Sequence, residues 1–239
     1  SEKCTCLHMA VISGSEPIAD LLLQHGADPT VQANDDLGIT PLHMAAMFGR
    51  LNFIQKFLQH SPRCINTIDR TNATPIMSAA LYNQYASLEL LLNSGANPNI
   101  KEHNKFRNVL HVALTGENDG CFYEIAKLIL SHGCDVNAQD SSGLTALHMA
   151  VNMGDEKLCS LFLNYGADPK VKTNHGTTAI ELATKKKKID LARFLSERHE
   201  RVTSTREIID AQLAPWRNQI RLQQKVIENL QKELQLLQQ

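Results

Sequence analysis

Short apolar segments recur along the chain at intervals too regular for an ordinary globular core. Thr40-Pro41-Leu42-His43-Met44-Ala45-Ala46 is echoed by Thr5-Cys6-Leu7-His8-Met9-Ala10-Val11 and by Thr74-Pro75-Ile76-Met77-Ser78-Ala79-Ala80. Further copies are Asn108-Val109-Leu110-His111-Val112-Ala113-Leu114, Thr145-Ala146-Leu147-His148-Met149-Ala150-Val151 and the weaker Thr178-Ala179-Ile180-Glu181-Leu182-Ala183. Their first residues lie at 5, 40, 74, 108, 145 and 178, in steps of 35, 34, 34, 37 and 33. Thr at such a position caps free backbone N–H groups, and Pro at the first helical position sacrifices no hydrogen bond. Leu and the paired Ala then predict a short, slim helix that neighbours approach closely. A second helix follows, as in Ile18-Ala19-Asp20-Leu21-Leu22-Leu23, and Gly26, Gly95, Gly133 and Gly166 are placed to end such helices in the left-handed conformation. Asp35-Asp36-Leu37-Gly38 and Asp140-Ser141-Ser142-Gly143 predict a hairpin-like finger that turns the chain back. One such unit cannot cover its own apolar face, whereas stacked units share a one-dimensional core.

Two landmarks in fixed order at a period near 33 residues are a strong internal-repeat signal. The TPLH-like segment followed by Leu22-Leu23-Gln24-His25-Gly26-Ala27-Asp28 and its copies resembles the ankyrin repeat over residues 1–199. The resemblance implies an all-α ankyrin-repeat α-solenoid with β-hairpin-like fingers. Its six repeats would span about 1–33, 34–68, 69–101, 102–139, 140–172 and 173–199. It also implies that the recurring His8, His43, His111 and His148 make backbone hydrogen bonds near the helix starts. Three departures stand out. The first repeat begins almost at its TPLH-like segment. The fourth has Asn108 for Thr, Phe106 where the finger glycine is usual, and extra residues in 115–120, which predict a longer inter-helix loop. The sixth replaces His by Glu181, carries Lys185-Lys186-Lys187-Lys188 between its helices, and has the polar outer face expected of a terminal repeat.

After Glu200 the periodicity changes. Ser204-Thr205-Arg206-Glu207 reads as a capping box that opens a long helix, with Pro215 kinking or restarting it. Leu213, Ile220, Ile227 and Leu234 fall at heptad position a, and Ile209, Trp216, Gln223, Leu230 and Leu237 at d. This pattern predicts a coiled-coil segment over 200–239, able to form a homodimer or higher oligomer, with Gln223 fixing register. Folding back over the last repeat is the alternative. Because the heptads still run at Gln239 and the chain opens without Met, the sequence is expected to be part of a longer one.

Composition narrows the class. With 43% hydrophobic and 21% charged residues and a net charge of −1, the chain is not disordered and lacks the basic excess of a nucleic-acid binder. Every apolar run is broken before the roughly 18 residues a membrane helix needs. The six cysteines follow no compact framework and are read as reduced, which suits a cytoplasmic or nuclear protein. Cys4, Cys6 and His8 lack a second pair at zinc spacing, and no two recurring His share the i, i+4 spacing of helical metal ligands. Phosphate-loop, nucleophile-elbow and metalloprotease strings are absent from the sequence, so neither catalysis nor a cofactor is expected.

Surface remains. In ankyrin proteins partners usually dock on the concave side, formed by fingers and first-helix ends. Carried over, that side includes Leu37, Ile39, Met47, Phe48, Leu81, Tyr82 and Met153. Clustered apolar and aromatic side chains of this kind mark partner sites, unless Leu37 and Ile39 tuck beneath neighbouring fingers. Lys105 and Arg107 on a finger, with Lys185, Lys186, Lys187 and Lys188, form a candidate basic patch; the lysine run would suit phosphate, acidic lipid or an acidic partner peptide, or be merely solvated. The expected function is a non-enzymatic interaction scaffold or adaptor that binds another protein or peptide. Alternatives are the cytosolic ankyrin region of a membrane protein such as an ion channel, a targeting subunit of a ubiquitin ligase or phosphatase, or a transcription-factor inhibitor.

Overall fold

A computed structural model describes residues 4–115 and 122–198. The longer inter-helix loop predicted at 115–120, Cys121, and the whole predicted coiled-coil segment from Ile209 to Leu237 therefore lie largely or wholly outside the described residues. The chain divides into two compact units, 1–192 and 193–239.

The first unit is a stack of helix pairs. α1 (Cys6–Ser13), α3 (Pro41–Met47), α5 (Pro75–Leu81), α7 (Val109–Ala113), α9 (Ala146–Met153) and α11 (Ala179–Lys185) pack successively against one another as an inner row. α2 (Glu16–Gln24), α4 (Leu51–His60), α6 (Tyr85–Asn93), α8 (Phe122–Ser131) and α10 (Glu156–Asn164) form the second row. The core lies between the rows: Leu7, Leu42, Ile76, Leu110 and Leu147, one from each successive repeat, are fully buried with Ile54, Phe57, Leu88, Ile125 and Phe162. This is the predicted solenoid, and no strand occurs among the described residues. Residues 189–198 are helical, and within the second unit the Arg198 guanidinium lies 5.7 Å from the centroid of the Phe194 ring.

The fingers are tight turns rather than ladders. A backbone bond closes each at its base, Ala33 to Ile39 (2.8 Å), Asp69 to Ala73 (3.0 Å), Glu102 to Arg107 (3.0 Å), Asp140 to Leu144 (2.9 Å) and Thr173 to Thr177 (3.0 Å), and a second, inner bond from Asn72, Gly143 or Gly176 N–H tightens the third, fifth and sixth. Single bonds also link successive fingers, from Arg70 N–H to Leu37 O (2.9 Å) and from His103 N–H to Thr71 O (2.7 Å). Asp side chains set the turns: Asp69 Oδ1 accepts from Thr71 N–H at 2.8 Å and Ala73 N–H at 2.9 Å, an Asx arrangement repeated by Asp140. The last turn residue takes positive φ: Gly38 at 61°, Asn72 at 64°, Gly143 at 75° and Gly176 at 70°. Phe106 occupies the same place at φ 52°, a conformation that is costly for a residue with a Cβ. Gly26, Gly95, Gly133 and Gly166 all have positive φ at the ends of second helices, as expected. In the second repeat a 3-10 helix, Pro62–Asn66, replaces that glycine turn after α4.

The recurring His residues tie each inner helix to the next finger. Nε2–H donates to Ile39 O from His8 (2.9 Å), to Ala73 O from His43 (2.9 Å) and to Thr177 O from His148 (3.3 Å). On the other ring nitrogen, Nδ1 accepts the N–H of Thr5, Thr40 or Thr145 at 3.2–3.3 Å. These rings are satisfied as neutral imidazoles, and burial, the largest influence, holds their pKa below 6.5. Glu181 does the capping in the sixth repeat, where its Oε2 accepts from Thr178 N–H at 2.9 Å. Among the cysteines, the thiols of Cys64, Cys134 and Cys159 are buried, and desolvation pushes their pKa up to about 11, 12 and 12. They are packing atoms, not nucleophiles.

Candidate partner-binding groove

The tie is missing at one junction. The third repeat has Met77 where its neighbours have His, so α5 sends no imidazole to the fourth finger, and Thr74 Oγ1 is buried without a hydrogen-bond partner. At this junction a pocket of about 270 Å³ opens beside the fingers. Leu37 and Ile39 from the second finger, Met47 from the end of α3, and Met77, Leu81 and Tyr82 from α5 and its cap supply its apolar lining. Asp69 and Thr71 of the third finger and Glu102, Asn104 and Arg107 of the fourth supply its polar rim.

Five of the expected surface residues, Leu37, Ile39, Met47, Leu81 and Tyr82, thus line one pocket. Leu37 is 54% exposed and Tyr82 50%, so neither is consumed by packing, whereas Ile39 and Met47 are half-buried. Phe48, 48% exposed, caps α3 next to Met47 without lining the pocket. Met153 is exposed at the end of α9, two repeats away, and lines a separate depression with Phe122.

The basic residues do not form one surface. Arg107 lies in the groove, where its Nε donates to Glu102 Oε1 at 2.5 Å and its Nη1 to Thr115 Oγ1 at 3.2 Å. Glu102 is buried, and its position in the groove rim is not marked in the sequence, because nothing in its neighbourhood sets a finger carboxylate apart as interior. Lys105 is exposed on the same finger. Two repeats on, Lys188 Nζ donates to Val151 O (3.0 Å) and Asn152 O (3.1 Å), capping the carbonyl end of α9 as cations do. Lys186 bonds Asn152 Oδ1 and Lys185 bonds Thr177 Oγ1, leaving Lys187 alone in the run without a side-chain hydrogen bond among the described residues. The lysine run therefore fastens the sixth repeat to the fifth in addition to carrying charge.

Among the described residues no group of three or more His, Cys, Asp or Glu is placed to hold a metal, and no helix is long and apolar enough to cross a membrane.

Comparison with known proteins places this geometry. The chain is 34% identical over 154 residues to Rabankyrin-5 of Homo sapiens, covering 64% of this chain and 13% of that protein. It is 32% identical over 163 residues to the nuclear factor NF-kappa-B p105 subunit of Gallus gallus, covering 66% and 16%. Over 118 residues it is 34% identical to the transient receptor potential cation channel subfamily A member 1 of Homo sapiens, covering 48% and 10%. The chain thus spans about a sixth or less of the length of these relatives, whose names describe different proteins sharing one module. A family model of ankyrin repeats (3 copies) matches residues 7–102 and again 107–206. The chain belongs to the ankyrin-repeat family, whose repeats form protein–protein interaction domains.

Proposed function

We propose that the repeat unit is a non-enzymatic adaptor that receives a segment of a partner protein in the groove beside Tyr82. The observation that carries this reading is the convergence of Leu37, Ile39, Met47, Leu81 and Tyr82 on a pocket at the junction that lacks a His tie. An apolar pocket bordered by polar groups is the ordinary form of a recognition site, and exposed aromatics are its usual anchors. Phe48, adjoining the pocket, extends the contact surface.

The test pairs binding with stability. Phe48→Ala and Tyr82→Ala should each weaken partner binding by about 30-fold, about 2 kcal/mol, while shifting unfolding by about 0.5 kcal/mol or less. Leu42→Ala, which opens a cavity in the buried core, is the unfolding control. Should the aromatic variants unfold the chain as the control does, they are packing residues and the site is elsewhere. Bound partner retained at full affinity would equally reject the groove.

The Ile and Leu heptads from Ile209 to Leu237 support a further element of the same reading, self-association through 200–239. The full chain is expected to sediment as a dimer at micromolar concentration and residues 1–199 as a monomer. A monomer for both rejects it.

A further inference from the structure

The fingers bordering the groove differ in charge in a consistent direction. The second finger (33–39) carries Asp35 and Asp36 and no base, giving −2. The third (69–73) balances Asp69 against Arg70 and is neutral, and the fourth (102–107) sets Lys105 and Arg107 against Glu102, giving +1 with His103 neutral. The order is enforced by the fold, because these fingers are bonded in succession through Arg70 N–H to Leu37 O and His103 N–H to Thr71 O. Asp36 and Lys105 stand exposed at the two ends, and neither side chain has a hydrogen bond or ion pair among the described residues. Between them lies the apolar pocket, with Leu81 and Tyr82 at its edge.

The geometry points to one kind of occupant: an extended peptide segment of a partner that places a large apolar side chain in the pocket, a Lys or Arg over the second finger, and an Asp or Glu over the fourth. This rests on the groove being the docking surface. It adds the chemistry and polarity of what docks there. Complementary charge at the two ends orients a chain that an apolar pocket alone would accept in either direction, since charges give register and specificity more than affinity. The length follows from the stack. Helices pack about 8–10 Å apart, so the second and fourth fingers stand about 16–20 Å apart. An extended chain rising about 3.3 Å per residue covers that span in about five or six residues. The recognised segment is therefore short: opposite charges five or six positions apart with an apolar residue between them.

Selection of a displayed library of random peptides on the full chain tests both the segment and its polarity. Enriched peptides should share the basic, apolar and acidic order at that spacing. A synthetic consensus peptide should bind about tenfold tighter than the same peptide with its two charges exchanged, as expected for two solvent-exposed charge pairs turned from attraction to repulsion. That preference should shrink as salt is raised. The double variant Asp36→Lys with Lys105→Glu changes only exposed side chains, so it keeps the fold and should prefer the exchanged peptide. If consensus binding is lost in Tyr82→Ala but is indifferent to charge order and to the double variant, the groove binds protein and the proposed polarity is wrong. Charges enriched eleven or more positions apart, the spacing of a helix over the same span, overturn the extended form. If the consensus peptide binds Tyr82→Ala as well as the unaltered chain, the docking reading itself fails.

Discussion

Replacing Arg107 with alanine is expected to cost the folded chain about 3 kcal/mol, the lower end for a broken buried ion pair, because the guanidinium is 22% exposed and some water already reaches it. The loss is not the 2.5 Å bond itself but what remains afterwards. Glu102 is 6% exposed at its side chain, and without the guanidinium its carboxylate would sit in the groove rim with no countercharge and little water. The fourth finger is the place least able to absorb this, since Phe106 already holds a positive φ there. Urea denaturation of the two forms gives the difference directly. A second variant separates a stranded charge from lost packing. Adding Glu102→Gln to Arg107→Ala removes the buried charge and should recover much of the loss. A deficit unchanged by Glu102→Gln would mean that Arg107 acts through its aliphatic stem alone.

How much of this was legible in the chain depends on whether a feature is local or arises between repeats. The TPLH-like segments could be read because each is a complete local device: Thr caps, Pro starts, Leu and Ala pack, and the His ring reaches a carbonyl one finger away. Their spacing then dictates stacking. The same logic located the exposed ends of α3 and α5, so Met47, Leu81 and Tyr82 were found as neighbours by alignment of one repeat upon the next. The pocket was not legible, because it is assembled from three successive fingers and the helix ends beside them, with Met77 lining it where the neighbouring repeats have His. Glu102 was missed for a related reason: a finger carboxylate is ordinarily solvated, and its interior setting is made by Arg107 five residues later. The lysine run misled in the opposite sense. Four consecutive Lys suggest a patch, but Lys187 has φ 59° and the turn it makes sends Lys188 back onto α9. The 3-10 helix after α4 could have been suspected from Ser61-Pro62 standing where the other repeats place a glycine turn.

Acidification is expected to destabilise the repeat unit steeply, and His111 should respond differently from its counterparts. In the unfolded chain the four recurring imidazoles titrate near 6.5. In the folded chain burial, the largest influence on each, holds all four lower. The unfolded state therefore binds protons first as the pH falls. Stability is complete above 6.5 and declines below it toward the folded pKa values, by about 1.4 kcal/mol per pH unit for each lagging imidazole. His8, His43 and His148 have an N–H donor at Nδ1 and a carbonyl at Nε2, which suits the neutral ring. His111 does not. Asn108 replaces Thr, and its Oδ1 accepts from His111 N–H at 3.2 Å while its Nδ2 donates to Asp135 O at 3.2 Å, which fixes the amide orientation. Nδ1 of His111 thus faces the amide oxygen at 2.6 Å and Nε2 faces Leu144 O at 3.1 Å, two acceptors that only the doubly protonated ring can satisfy together. Asp140 favours that cation, and Lys101 and Arg107 oppose it. His111 should accordingly have the highest pKa of the four, still below 6.5, and lose the least stability on acidification. Asn108→Thr returns a hydroxyl that can donate to Nδ1, so it should lower the His111 pKa and steepen the loss of stability below pH 6.5. Imidazole resonances followed by NMR through the titration, with denaturation midpoints at each pH, give both quantities. His111 titrating below His43, or an Asn108→Thr variant with an unchanged acid slope, would show that desolvation outweighs the second acceptor.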